Sequence, residues 1–351
     1  MKLGLVSTCS TRNLGDAAIY AALAQLSPER RVHCALRERY PAIVRGLERN
    51  RHLDDCDAFI SAGGDVFSDA RPYRMTKRFV RSLLEIYLRS DRTVVFGQSV
   101  PVSCGRLSQR MLGSVFRRLQ GVVVRDRGSH EFLKSIGVEA ALSHDAAFVL
   151  RPRTDALEAA YGLLARHDLD PDRTALISLR VGSANGFPGV EGGDHDLLTI
   201  AAMLAERGHQ PAFLMLSGCD APGSDSGRAE AMRLNCGMEG IPVIDPFAVR
   251  PPDAPCDVVI ALLSLVNIAV AASYHAAILR LVSGRAPFVL YDDLTGCDLK
   301  ERLGLPGQMR GSDTDAGLIA AIENSADVAF DPDPIARDVT DHFTNCIRKL
   351  A

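Results

Sequence analysis

The chain has no tryptophan, and aromatic residues make up only 6% of its 351 positions. A long carbohydrate groove built from stacked rings therefore has little material to draw on. Its most apolar stretch, Val258 to Val282, is interrupted by Ser264, Asn267, Ser273, Tyr274 and His275, so it does not read as a membrane span. The start, Met1-Lys2-Leu3-Gly4-Leu5-Val6-Ser7, turns polar too soon for a secretory signal and reads as a first strand. None of the nine cysteines forms a C-x-x-C pair or a Cys/His cluster, which argues against a zinc site or a disulfide framework and for reduced thiols. A net charge of −3 gives no global reason to expect a nucleic-acid partner, and any anionic ligand has to be held locally. These absences together predict a cytoplasmic protein without a metal.

What is present is a regular alternation of short apolar runs and amphipathic segments, the pattern of parallel α/β sheets. In the first half the strands are expected at Leu3–Ser7, Val32–Leu36, Ala58–Ser61, Thr93–Gln98, Gly121–Val124 and Ala141–Ser143. The second half repeats the scheme at Ala175–Leu179, Ala212–Leu216, Val243–Asp245, Asn267–Ala271 and Phe288–Tyr291. Charge and proline accumulate from Arg151 to Arg173, where the linker is expected. The expected organisation is an N-terminal Rossmann-like domain over 1–160, a second over 161–330, and a terminal helix in 331–351. Two doubly wound domains facing a central cleft would have the geometry of the glycosyltransferase-B type, by analogy, with ligands at the strand C-termini.

Polar residues gather at those strand ends. Asn13-Leu14-Gly15-Asp16 follows the first strand and opens a helix whose first-turn amides can hold an anion or a sugar hydroxyl; simple helix capping is the alternative. It is not G-x-G-x-x-G, so nothing supports a dinucleotide there. Gly63-Gly64-Asp65 follows another strand, with glycines that permit close ligand approach and a carboxylate able to orient or deprotonate a hydroxyl. Gln98 ends the next strand. Arg125 before Asp126 can neutralise a phosphate or carboxylate, or fix a helix start. Arg180 ends the first strand of the second half, a good position for a cation. Ser273-Tyr274-His275 joins an apolar strand to a helix, and histidine is the side chain whose ordinary titration suits proton transfer near neutral pH. His33, His52, His167, His195 and His209 stand in polar or helical contexts and read as surface.

Taken in order, these segments resemble the polysaccharide pyruvyl transferase family. The resemblance runs from Asn13-Leu14-Gly15-Asp16 through Gly63-Gly64-Asp65, Phe96-Gly97-Gln98-Ser99, Val124-Arg125-Asp126, Asp145-Ala146-Ala147-Phe148 and Ile177-Ser178-Leu179-Arg180 to Ser273-Tyr274-His275, with a looser fit at Lys300 to Leu305. It implies transfer of pyruvate from phosphoenolpyruvate to a sugar or other hydroxylated acceptor, with release of phosphate and no cofactor beyond that donor. His275 and Asp65 would then be catalytic. Arg180, Ser273, Tyr274, Arg125 and Lys300 would hold the donor. Asn13, Gly15, Asp16, Gly63, Gly64 and Gln98 would line the acceptor side. The family often has arginine two residues before this histidine, and here that residue is Ser273. The partners implied are a small-molecule donor and a glycan-precursor acceptor. A lipid-linked acceptor would make the protein peripheral to a membrane, and homo-oligomerisation is left open. A nucleotide-sugar-dependent glycosyltransferase and a non-catalytic relative are the competing readings.

Overall fold

The computed structural model describes residues 1–8, 10–35, 42–50, 52–64, 66–67, 76–100, 104–179, 194–218, 240–248 and 254–350. In chain order its elements are β1 (Lys2–Val6), α1 (Leu14–Gln25), β2 (Arg31–Cys34), β3 (Leu47–Arg49), β4 (Ala58–Ser61), α2 (Lys77–Tyr87), β5 (Thr93–Gln98), α3 (Arg106–Phe116), β6 (Gly121–Val124), α4 (Arg127–Ser135) and β7 (Ala141–Leu142). There follow α5 (Leu157–Ala165), β8 (Thr174–Ser178), α6 (Asp194–Glu206), β9 (Gln210–Leu214), β10 (Val243–Ile244), α7 (Pro255–Leu265), β11 (Ile268–Ala271), α8 (Tyr274–Val282), β12 (Phe288–Tyr291), α9 (Leu294–Leu303), β13 (Gly307–Met309), α10 (Ala316–Ser325) and α11 (Asp333–Leu350).

Two compact units result. One holds residues 1–11, 16–150 and 333–351; the other holds 12–15 and 151–332. The division at Leu150 lies ten residues before the expected one at 160. The reason is local packing: α5, beginning at Leu157, lies on α7, whereas the helical turn Ala146–Val149 lies on α11. The terminal helix is accordingly part of the first unit, where Phe343 meets Phe96 edge to face at 5.3 Å and Asp338 accepts a 2.6 Å hydrogen bond from Ser143 Oγ.

The first unit contains a parallel sheet in the order β3-β2-β1-β4-β5-β6-β7, and the second a parallel sheet in the order β10-β9-β8-β11-β12-β13. Both orders reverse direction beside their first strand, at β1/β4 and at β8/β11. Such reversals are where doubly wound sheets leave a crevice at the strand C-termini. The central strands β4, β5, β8 and β11 are buried along their whole length, as parallel strands covered by helices on both faces must be. Val6, Phe59, Val95, Val124 and Phe116 belong to the first core, and Ile177, Phe213, Val270, Leu290 and Ile319 to the second.

Side-chain caps fix several helix starts. Thr76, Asp126, Ser273, Asp293 and Asp315 each accept a bond from a first-turn amide. His33, expected on the surface, is buried in β2 with its Nδ1 3.5 Å from Glu48. That correction follows from period-2 reading: in a two-sided parallel sheet no strand face is reserved for water.

The far end of α7 is held by a buried cation. Arg280, on α8, is fully buried and donates to the carbonyls of Leu263, Val266 (3.0 Å) and Asn267 (2.7 Å), which α7 leaves without intrahelical donors. Burial, reinforced by nearby Arg285, lowers its pKa to about 9, still well above neutrality. Arg280→Met keeps the stem but strands the carbonyls of Leu263 and Asn267, while Val266 O keeps Arg285 Nη1 at 3.2 Å, so urea unfolding should show a loss of about 2 kcal/mol. An unchanged midpoint would remove the cap from the account of stability.

Candidate active site

The β8/β11 reversal is pinned by one hydroxyl. Ser178 Oγ, at the end of β8, accepts from the amides of Ala272 (2.9 Å) and Ser273 (3.3 Å), which follow β11. Ser273 then caps α8, its Oγ accepting from Ala276 N at 3.2 Å. Tyr274 and His275 form the first turn of α8, ring edge to ring face with centroids 5.3 Å apart. A helix N-terminus carries a partial positive charge and amides without intrahelical acceptors, so it favours an anion beside that imidazole.

The segment 12–15 completes this unit. Asn13 bridges to Ser217, Leu14 N donates to Leu216 O (2.8 Å), and Gly218 N donates to Arg12 O (2.9 Å). Arg12 returns a bond from its Nε to Gly218 O and lies 5.4 Å from the centre of the Phe247 ring. Asn13 Oδ1 accepts from Gly15 N at 3.0 Å, the Asx-type turn that opens α1. The consequence falls on Gly15. A Cβ there would lie 2.2 Å from His275 Nδ1 and 2.5 Å from its Cγ. The imidazole occupies the space a side chain would need, so only glycine allows this packing.

In the first unit the β1/β4 reversal gathers a different set. Asp16, buried, accepts from Gly64 N at 3.3 Å, and Gly63 adopts φ +142. Gln98, fully buried at the end of β5, accepts from Ser61 Oγ at 3.2 Å through Oε1, while its Nε2 has no hydrogen-bond partner among the described residues. Ser7, just past β1, has φ +55, donates its amide to Glu85 (3.1 Å), and keeps a buried hydroxyl without a partner. A strained serine with an unsatisfied hydroxyl at a strand end is the kind of outlier that marks functional sites. Ser7 was not among the sequence candidates; its place as the first polar residue after the first strand was the available signal. Ser178, two residues before Arg180 at the same strand end, was likewise not among the sequence candidates.

Arg125 is not placed as a ligand-binding cation. It is buried, with Nη1 2.6 Å from Asp145 Oδ2, Nε 2.8 Å from Ser99 Oγ, and its amide donating to Gln98 O (3.3 Å). Ser99 passes the bond on to Asp126 (2.7 Å), which also accepts from the amide and hydroxyl of Ser129. This network ties the ends of β5 and β6 to the turn at 145–147. Lys300 is also displaced from expectation: it stands in the last turn of α9, six residues past its first residue, about 9 Å along the axis from the end that follows β12. Asp65 and Arg180 lie outside the described residues. Among the described residues no group of three or more His, Cys, Asp and Glu could hold a metal ion.

Residues 13–293 match the family model of polysaccharide pyruvyl transferase. No curated protein matches the sequence. Among solved structures, the chain is similar to UDP-GlcNAc 2-epimerase from Methanocaldococcus jannaschii, in complex with UDP-GlcNAc and UDP, at 11% identity and TM-score 0.60, covering 99% of each chain. It is similar to Anabaena HepE in complex with UDP-glucose at 10% identity and TM-score 0.59, covering 98% of this chain and 100% of that one. A putative UDP-N-acetylglucosamine 2-epimerase from Listeria monocytogenes matches at 12% identity and TM-score 0.58, over 99% and 96%. At such identities these likenesses show the fold alone: two parallel-sheet α/β domains of the glycosyltransferase-B type.

Two substitutions test the geometry. Gly15→Ala should displace the ring, moving the imidazole resonances of His275 and costing about 1–3 kcal/mol. Gly162→Ala, where a Cβ meets nothing within 4 Å, should instead stabilise α5 by about 0.5–1 kcal/mol. Equal effects at both glycines would dissolve the packing argument. For the Arg125–Asp145 pair, Arg125→Leu should cost about 3–5 kcal/mol because it leaves a buried carboxylate, and Arg125→Leu with Asp145→Leu should recover part of that in a double-mutant cycle.

Proposed function

The chain belongs to the polysaccharide pyruvyl transferase family, and from that premise we propose that this transferase moves pyruvate from phosphoenolpyruvate to a hydroxylated acceptor and releases phosphate. The observation that carries the reading is the seat of His275: a proton-transfer group in the first turn of α8, held against Gly15, beside the amides that Ser178 fixes. Family membership supports a polysaccharide-modifying transferase in general; the donor and the roles below are the proposal.

In this reading His275 gives a proton to C3 of phosphoenolpyruvate, which becomes a methyl group and leaves an oxocarbenium-like centre at C2. An acceptor hydroxyl attacks C2 and loses its proton to a base, Asp65 in the proposal. Loss of phosphate regenerates the cationic centre, and a second hydroxyl closes a ketal. Of the two hydroxyl protons, one ends on C3 and one on the released phosphate, so the reaction needs no oxidant, reductant or metal to balance. The donor's carboxylate and phosphate demand opposing charge, which the N-terminus of α8 and Arg180 would supply. Tyr274 would flank the donor. The hydroxyl-rich acceptor would lie with the β1/β4 strand ends, where the Gln98 amide and the Ser7 hydroxyl have hydrogen-bonding capacity unused within the described residues and Gly63 and Gly64 admit close approach. A small or lipid-linked glycan precursor suits the scarcity of aromatic residues.

Calorimetric titration tests the donor. Phosphoenolpyruvate should bind saturably, and Arg180→Ala should weaken it. His275→Ala should keep binding while acceptor-dependent phosphate release falls by about 10²–10⁴-fold. Binding of a nucleotide sugar in place of phosphoenolpyruvate would move the assignment to a glycosyltransferase, and unchanged turnover in His275→Ala would take His275 out of the mechanism.

A further inference from the structure

The outward face of α2 carries apolar residues where an amphipathic helix should be polar. Phe79, Ser82, Leu83 and Ile86 face the core, as the 3.6-residue period requires. On the opposite side stand Val80, Leu84, Tyr87 and Leu88, with Leu84 and Leu88 exposed at 53% and 67%. The next helix, α3, adds Leu107, exposed at 59%. Arg118, just past the end of α3, reaches α2, its Nη1 donating to Tyr87 Oη at 3.2 Å and its guanidinium carbon 5.1 Å from the ring centre. Exposed leucines scattered singly need no explanation, but a row at helical spacing along one helix, with another on the helix beside it, does.

Charge decides what would cover it. Residues 77–92 and 106–118 contain nine lysines and arginines against Glu85 and Asp91; Arg89 and Arg92 lie over Phe59 and Arg117 donates to Ile136 O, which leaves Lys77, Arg81, Arg106 and Arg110 as the exposed cations beside the apolar row. The cations interleave with the apolar row: Lys77 and Arg81 flank Val80 and Leu84, and Arg106 and Arg110 flank Leu107, all exposed. A second copy of the chain would bring two strongly positive faces together. Nucleic acid would satisfy the cations but leave the leucines with nothing to contact. An anionic bilayer surface answers both demands, with phosphates for the arginines and the acyl boundary for Leu84, Leu88 and Leu107, and Tyr87 at the interface between them. Among the described residues no helix is long and apolar enough to cross a membrane.

We propose that the α2–α3 face is a docking surface for an anionic lipid bilayer, lying on the membrane without spanning it. The proposal stands apart from the reading of the reaction, because the bilayer itself, not the acceptor, is the ligand.

The full chain should co-sediment with vesicles of phosphatidylglycerol in phosphatidylcholine and not with phosphatidylcholine alone, and binding should weaken as salt rises. Leu84→Glu with Leu88→Glu, and separately Arg81→Glu with Arg110→Glu, should each lower partitioning by about tenfold or more. These side chains are solvent-exposed and outside the proposed catalytic and ligand-binding residues, so phosphoenolpyruvate titration and thermal unfolding should match wild type. The vesicles contain no acceptor, so a failed transferase reading leaves the result intact, and the reverse holds too. No binding to anionic vesicles overturns the proposal, as does binding that neither double variant reduces. A wild-type dimer that Leu84→Glu with Leu88→Glu dissociates, without vesicle binding, would reassign the face to self-association.

Discussion

Reversal of strand order is the constraint from which the rest follows. In each sheet the chain builds outward from its first strand in one direction, then returns to lay its fourth on the other side, so neighbouring connections diverge at β1/β4 and at β8/β11. The ends of those strands cannot be covered by their own crossovers, and the polar residues there must find other partners. In the second unit Ser178 provides one by accepting two amides from the far side of the reversal. In the first unit the same position is less satisfied: Ser7 and Gln98 keep buried polar atoms unpaired. A protein stores such groups at a cost of about 1–3 kcal/mol each, and a polar ligand offsets it.

The two units also differ in how their charges are used. Arg125 and Asp145 are buried together, and the Ser99, Asp126 and Ser129 chain of bonds consumes their remaining capacity. Such a network organises backbone and leaves little for a ligand. His275 is held differently: its ring fills the space a side chain at position 15 would need and meets Tyr274 edge to face.

The sequence was most legible where burial is two-sided. Ala58–Ser61, Thr93–Gln98, Gly121–Val124 and Phe288–Tyr291 are strands over the residues expected, because an apolar run ending in small or polar residues has few other solutions. The edges were not legible. Leu47–Arg49 and Gly307–Met309 pair on one side only, and short polar segments of that kind have no periodicity to read. Gly307 shows what does decide there: a Cβ at that position would lie 2.2 Å from Val289 O, so backbone approach selects glycine. Expected strand Ala212–Leu216 begins instead at Gln210, since Pro211 sits where β9 pairs only with β8 and needs no second donor. At the site, sequence order located the strand ends but could not separate Arg125, a residue of the interior, from a cation facing a ligand. That difference depends on Asp145, twenty residues away, and on the turn that brings it back.

Ser273 shows how one residue settles two questions at once. As the N-cap of α8 its hydroxyl accepts from Ala276 N, a role for which serine is well suited and arginine is not. The family's common arginine at this position would bring a full cation and leave that amide to find another acceptor. Ser273 gives this helix a side-chain cap and no charge. Its helix end then offers a partial positive charge of roughly half a unit, too little alone for a donor bearing both carboxylate and phosphate. The proposed reaction therefore leans on a cation from the neighbouring strand end, and Arg180 is two residues beyond Ser178, the residue that fixes the backbone of Ala272 and Ser273. In the proposed reaction Ser273 would fix the histidine's helix and Arg180 would supply the full positive charge that the helix end lacks.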